Sequence, residues 1–269
     1  MRLRRAPANP GAEMTILEHI AELRDRLVRC FVALLVTTLI SAFVLYDQTF
    51  RFITRSYCEI DPRYRITTAS GQNCGLLAQS PLEGLSIRIR LSLVLGLLFA
   101  MPVIAYQVWR FIAPGLKQSE KRFAIPFALA STLLFAGGVT IAFVTMPKAI
   151  GFLVAAGGEG LINFYAADRY LRFVMFMGLA FGLTFEFPLV LVFLSMAGVL
   201  SSQTMMRAWR PAVALIIVVA AVVTPSQDPI SLFSMAIPMW IFYFAAAGVA
   251  RFLIEPRRRR RQAELMQGS

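Results

Sequence analysis

The chain has 269 residues, 58% of them hydrophobic, and carries 27 Lys and Arg against 15 Asp and Glu, a net charge of +12. That apolar fraction excludes an ordinary soluble domain, because the surface it would expose is tolerated by lipid and not by water. A basic excess of this size in a soluble chain would point to nucleic acid. Here the charges lie between apolar runs, the pattern of Lys and Arg retained on the cytoplasmic face of a membrane, so no nucleic-acid partner is expected.

Residues 1–13 form a basic N-terminal tail, expected to be flexible. No small-residue cleavage site follows the first apolar run, so that run reads as a retained signal-anchor rather than a removed leader. Residues 14–27 read as an amphipathic helix along the cytoplasmic surface. Thr15 and Glu18 have capping-box spacing. Glu18 and Glu22, four apart, share one face, while Ile20, Leu23 and Leu27 fall on the other.

Crossing about 30 Å of hydrocarbon takes roughly 20 apolar residues in a helix. Segments 28–46, 91–109, 123–147 and 173–198 meet that length, and 211–223 and 230–253 complete a set of six. The fifth has 13 residues, about 20 Å of helix, and is expected to fall short of a full span. The sixth contains Pro238, which removes a backbone hydrogen bond and invites a kink. Segments 5 and 6 therefore read as a shallow hairpin joined by Thr224-Pro225-Ser226-Gln227-Asp228-Pro229. The fold class that follows is an all-α integral membrane protein, one membrane domain of six transmembrane helices, with the last two shorter or kinked.

Lys and Arg in alternate connections number 18 on the side of the termini and 9 on the other, which places both ends in the cytoplasm. Residues 47–90 then form the first periplasmic loop and 254–269 a basic cytoplasmic tail. The Arg257–Arg261 run reads as an anchor to anionic lipid. Cys58 and Cys74 both fall in that periplasmic loop. They are either a disulfide closing a loop of about 15 residues, contributing roughly 3 kcal/mol, or two free thiols.

Glu186, near the middle of segment 4 in Phe185-Glu186-Phe187-Pro188, costs on the order of 2.5–3.5 kcal/mol at that depth. It is expected to make a polar contact within a cavity or with a partner helix; a residue hydrogen-bonded inside the bundle is the plainer alternative. The loop from Trp109 to Arg122 carries Pro114 and Gly115, which end one helix, and Ser119, which can cap the next with Glu120 in its first turn. That arrangement puts Glu120 on the same surface as Glu22. Gly157-Gly158-Glu159-Gly160 lacks the Lys-Ser/Thr of a phosphate cradle and reads as a turn. One histidine in the whole chain leaves little material for a Ser-His hydrolase or a His-ligated metal, so no enzyme, cofactor or metal is expected.

Taken together, Glu18-His19-Ile20-Ala21-Glu22-Leu23-Arg24, Tyr106 to Leu116, Glu120-Lys121-Arg122, Phe185-Glu186-Phe187-Pro188, Arg210-Pro211, Thr224-Pro225 with Asp228-Pro229 and Ala236-Ile237-Pro238 resemble the TatC family. TatC is the receptor and core subunit of the twin-arginine protein translocase, and the match runs over about residues 14–254. The resemblance implies a cup-shaped bundle in the bacterial inner membrane that binds signal peptides bearing two adjacent arginines. It further implies export of folded cargo on the proton-motive force, with TatA and TatB as single-span partners in a homo-oligomeric TatBC-type complex. It assigns Glu22 and Glu120 to the arginine pair, and Leu23, Arg24, Phe111, Pro114, Gly115 and Leu116 to the walls of the site. Partner contacts fall near Glu186 and Thr224, with Asp228 a periplasmic candidate. The chemistry is reasonable on its own terms, since a guanidinium pairs bidentately with a carboxylate and an ammonium does not.

Two departures stand out. Where many relatives carry Pro-Leu after segment 1, this chain has Ile53-Thr54-Arg55-Ser56, and where a polar residue often follows the aspartate matching Asp228 by four positions it has Leu232. The competing class is a small-solute secondary transporter, which also uses buried carboxylates and broken helices but shows internal repeats; none is visible here.

Overall fold

The computed structural model describes residues 16–58, 80–112, 124–156, 167–224 and 228–256. Every regular element among them is helical. In chain order these are α1 (Ile16–Ile40), a π-helical turn at Ser41–Leu45, α2 (Tyr46–Cys58), α3 (Glu83–Ile112), α4 (Ala124–Ala156) and α5 (Ala167–Thr184). They are followed by α6 (Phe187–Met196), α7 (Ser202–Arg207), α8 (Trp209–Val223), α9 (Pro229–Val249) and a second π-helical turn at Ala250–Ile254.

Among the described residues, five stretches are long and apolar enough to cross a membrane: His19–Arg55, Glu83–Phe111, Ile125–Leu153, Ala167–Met196 and Pro229–Phe252. Trp209–Val223 is a sixth, shorter apolar helix, about 22 Å long at its 15 residues. Six helical segments with a short fifth is what hydropathy predicts. The helices nevertheless overrun their apolar cores. Residues 47–58 and 83–90, read as part of a loop, are helical, because a helix satisfies its own backbone wherever lipid or headgroup denies it water.

Segment 4 is not continuous. After Thr184 the chain turns at Phe185 and Glu186 before α6 begins at Phe187. Pro188 lies in the first turn of α6, where its missing N–H costs nothing but where an uninterrupted helix would lose a bond. By contrast Pro102, Pro147 and Pro238 lie inside helices that run on through them.

Helix α1 packs against α3, α3 against α4, α4 against α5 and α9, and α9 against α6 and α8. Two contacts set the spacing. A Cβ at Gly96 would lie 2.7 Å from the Cα of Thr38, and one at Gly138 would lie 2.6 Å from the carbonyl oxygen of Phe181. Only glycine allows backbones this close, and the Thr37 hydroxyl uses the approach to donate to the Gly96 carbonyl at 2.8 Å.

Among the described residues, the largest core joins Phe181 of α5 and Phe185 of the turn after it to Met235, Met239 and Tyr243 of α9. A second joins Ile53, Leu91, Met146 and Leu171. Most of α1 beyond its α3 contact is exposed, including Phe31, Leu35 and Leu39, and so is Phe43 in the π-helical turn that follows. In lipid that surface is covered by acyl chains and is not a packing defect.

Candidate functional site

At one end of the bundle the first turns of α1 meet the last turns of α3. Trp109 fixes that end of α3: its ring lies 4.5 Å from Phe127 of α4 and 5.6 Å from Phe193 of α6, centroid to centroid. With Trp109 pinned, Gln107 and Phe111, four residues apart, turn toward α1. Phe111 stacks on His19 at 4.5 Å with the planes 15° apart. Gln107 is buried and accepts from an Nη of Arg26 at 3.4 Å.

Arg26 is 9% exposed. Its Nε donates to Oε1 of Glu22 at 3.1 Å, and its second Nη donates to the same oxygen. The other oxygen of Glu22 is buried and has no hydrogen-bond partner among the described residues. A buried carboxylate oxygen without a donor is uncommon, since most buried polar atoms are paired.

The predicted site residues divide as follows. Glu22 and Phe111 are brought to this junction. Leu23 and Arg24 are exposed, and the Arg24 guanidinium pairs with Asp25 at 3.2 Å. Pro114, Gly115, Leu116 and Glu120 lie outside the described residues, as do Thr15, Ser119 and the side chain of Glu18. Arg26 and Gln107 were not singled out from sequence. Arg26 was within reach, because an i,i+4 Glu-Arg spacing on a helix is a pairing signal; Gln107, 81 residues away along the chain, was not.

A second polar site surrounds Glu186, which closes the turn before α6. The Ser131 hydroxyl of α4 donates to its Oε2 at 2.7 Å, while Oε1 is buried without a partner among the described residues. Thr224 is the C-cap of α8 and Asp228 the N-cap of α9, and both are buried. The Thr224 hydroxyl donates back to the Ala220 carbonyl at 2.7 Å, and Asp228 caps α9 by accepting from the Ser231 N–H at 2.7 Å. Cys58 ends α2, and Cys74 lies outside the described residues, as does any bond between them.

At the end where α3 begins, Glu83 accepts from the backbone N–H of Asp168 at 2.8 Å, so a side chain of α3 caps α5. Asp168 in turn pairs with Arg90 at 2.6 Å and with Arg172. This network is built from both signs of charge and ties α3 to α5. Among the described residues no group of three His, Cys, Asp or Glu side chains is placed to hold a metal.

The family model described as Sec-independent protein translocase protein (TatC) matches residues 18–238. A relative from Frankia casuarinae, named Sec-independent protein translocase protein TatC, is 34% identical over 246 residues, covering 90% of this chain and 67% of its own. One of the same name from Aquifex aeolicus is 35% identical over 237 residues, covering 86% and 92%. A crystal structure of the twin arginine translocase receptor TatC in DDM superimposes with a TM-score of 0.70 at 32% identity, covering 87% of this chain and 99% of the other. Sequence and backbone agree over most of the length of this helical membrane protein, a component of a protein translocase: the chain belongs to the TatC family.

Proposed function

We propose that the junction of α1 and α3 is where this translocase subunit receives the paired arginines of a signal peptide, with Glu22 as one carboxylate and Glu120 as the other. The observation that carries the reading is the Glu22 side chain: one oxygen is held by Arg26, and the other is buried without a donor among the described residues. An incoming guanidinium supplies donors in a planar fork that matches a carboxylate, whereas an ammonium supplies a point charge. The stacked His19 and Phe111 rings form an aromatic wall beside it, a surface on which a guanidinium plane also packs.

In this reading the chain is a multi-pass protein of the bacterial inner membrane with both termini cytoplasmic, as its charge distribution implies. Bound signal peptides hand folded cargo to a complex in which TatA and TatB, each crossing the bilayer once, dock at α8 and near Glu186. The shortness of α8 supports a role in receiving a partner helix or thinning the bilayer there. The complex contains several copies of the chain and is driven by the proton-motive force.

The test is photocrosslinking of a twin-arginine peptide and its Lys-Lys control to membranes containing the chain. Glu22→Lys or Glu120→Lys is expected to abolish crosslinking while the subunit still inserts. Equal capture of both peptides, or capture unaffected by either substitution, overturns the reading.

A further inference from the structure

The Glu22 carboxylate already has a cationic occupant. Arg26 lies one helical turn along α1, and its side chain is 11% exposed. Two of its nitrogens converge on a single oxygen of Glu22, and a third is spent on the Gln107 side chain. This is not the best geometry available to such a pair. A guanidinium approaching a carboxylate edge-on makes two parallel bonds, one to each oxygen. Arg26 is tethered to the same helix four residues away, and it leaves Oε2 unpartnered.

We propose that Arg26 is an internal stand-in for the signal peptide's arginine, and that recognition at this site is an exchange in which an incoming guanidinium displaces it from Glu22. The inference rests on the docking reading above and adds to it a residue that sets the affinity. Two physical consequences follow. With no peptide bound, Arg26 pairs with a part-buried carboxylate that would be costly to leave unpaired. During recognition it sets a threshold. An arginine displaces it because it gains the two-oxygen fork that Arg26 lacks. A lysine, offering a strongly hydrated point charge and no fork, has no such gain against a guanidinium already in place. Because releasing Arg26 costs either cation the same, the built-in competitor sets how tightly a peptide must bind, while the fork to the freed carboxylate sets the preference for arginine.

Equilibrium titration of fluorescent Arg-Arg and Lys-Lys signal peptides against the full chain in lipid nanodiscs tests this. Arg26→Gln is expected to tighten the Arg-Arg peptide by about ten-fold, the worth of one charge-assisted hydrogen bond, and the Lys-Lys peptide by no more than that. Arg26→Lys retains the charge with fewer donors and is expected to give a smaller tightening; it carries the test if Arg26→Gln fails to insert. Weaker or unchanged Arg-Arg binding, or a Lys-Lys peptide tightened more than the Arg-Arg peptide, in the variant that inserts overturns the proposal. Glu22→Gln separates the two levels. If binding to the unsubstituted chain does not depend on Glu22, the docking reading fails and this proposal with it; if it does and the Arg26 variants leave the Arg-Arg affinity unchanged, only the exchange fails.

Discussion

The hydroxyl of Ser131 on α4 donates at 2.7 Å to one carboxylate oxygen of Glu186, at the break between α5 and α6. The other oxygen is buried and unpartnered among the described residues. A network serving only to hold helices together gains nothing from a half-satisfied carboxylate, since an unfilled acceptor in a low-dielectric site costs more than its neighbour's bond returns. An open acceptor does suit a donor arriving from another helix.

Replacing Glu186 by Gln keeps an oxygen for Ser131 and removes the charge. The protein is expected to remain in the membrane at its normal level while export of a twin-arginine reporter falls by about ten-fold, the equivalent of one charged hydrogen bond. Quantitative immunoblotting of membranes beside the export assay decides the matter. Loss of the protein from the membrane would make Glu186 a structural residue instead.

Ser131→Ala strips Glu186 of its described donor. The expected cost is about 1–3 kcal/mol, the range for leaving a buried polar group unsatisfied. It should appear as a lowered thermal unfolding midpoint in detergent, and Ser131→Thr, which keeps the hydroxyl, should recover most of it.

Close helix approach makes a separate prediction. Gly96→Ala and Gly138→Ala each place a methyl group against backbone, 2.7 Å from the Thr38 Cα and 2.6 Å from the Phe181 carbonyl oxygen respectively. Each is expected to destabilise the bundle by about 1–3 kcal/mol, as overpacking does. Gly84→Ala, with nothing within 4 Å of the added Cβ, is the control and should leave the midpoint unchanged or raised.

Asp228 is buried and caps α9 through the Ser231 N–H. Asp228→Ala is expected to cost about 0.5–2 kcal/mol of stability, and Asp228→Asn, which retains a capping oxygen, far less. Hydrogen exchange in the first turn of α9 reads the difference locally. An export defect shared by both variants, with that turn still protected in Asp228→Asn, would give the negative charge itself a role in transport.

Much of the architecture was written in the apolar runs. Helices long enough for a bilayer, and one too short, follow from hydropathy because lipid leaves the backbone no partner but itself. The break in segment 4 was harder to read. Phe185-Glu186-Phe187-Pro188 announced an expensive residue beside a proline, but Pro102, Pro147 and Pro238 show that proline alone does not decide whether a membrane helix stops. Neighbouring helices decide it by satisfying, or failing to satisfy, the freed backbone groups.

By itself, then, the sequence determined that the chain crosses a membrane, which residues would be costly there, and that a carboxylate stands at the start of α1 within a family-like motif. Those properties depend on side-chain chemistry and local spacing, which the chain carries with it. Only the tertiary structure decided what each costly group meets: Gln107 beside Arg26, Ser131 beside Glu186, Gly96 against Thr38. Each of these pairs is separated by more than fifty residues, and their contact depends on how α1, α3, α4 and the α5–α6 turn pack. That packing sums many weak contacts over the whole bundle, and no local pattern encodes it.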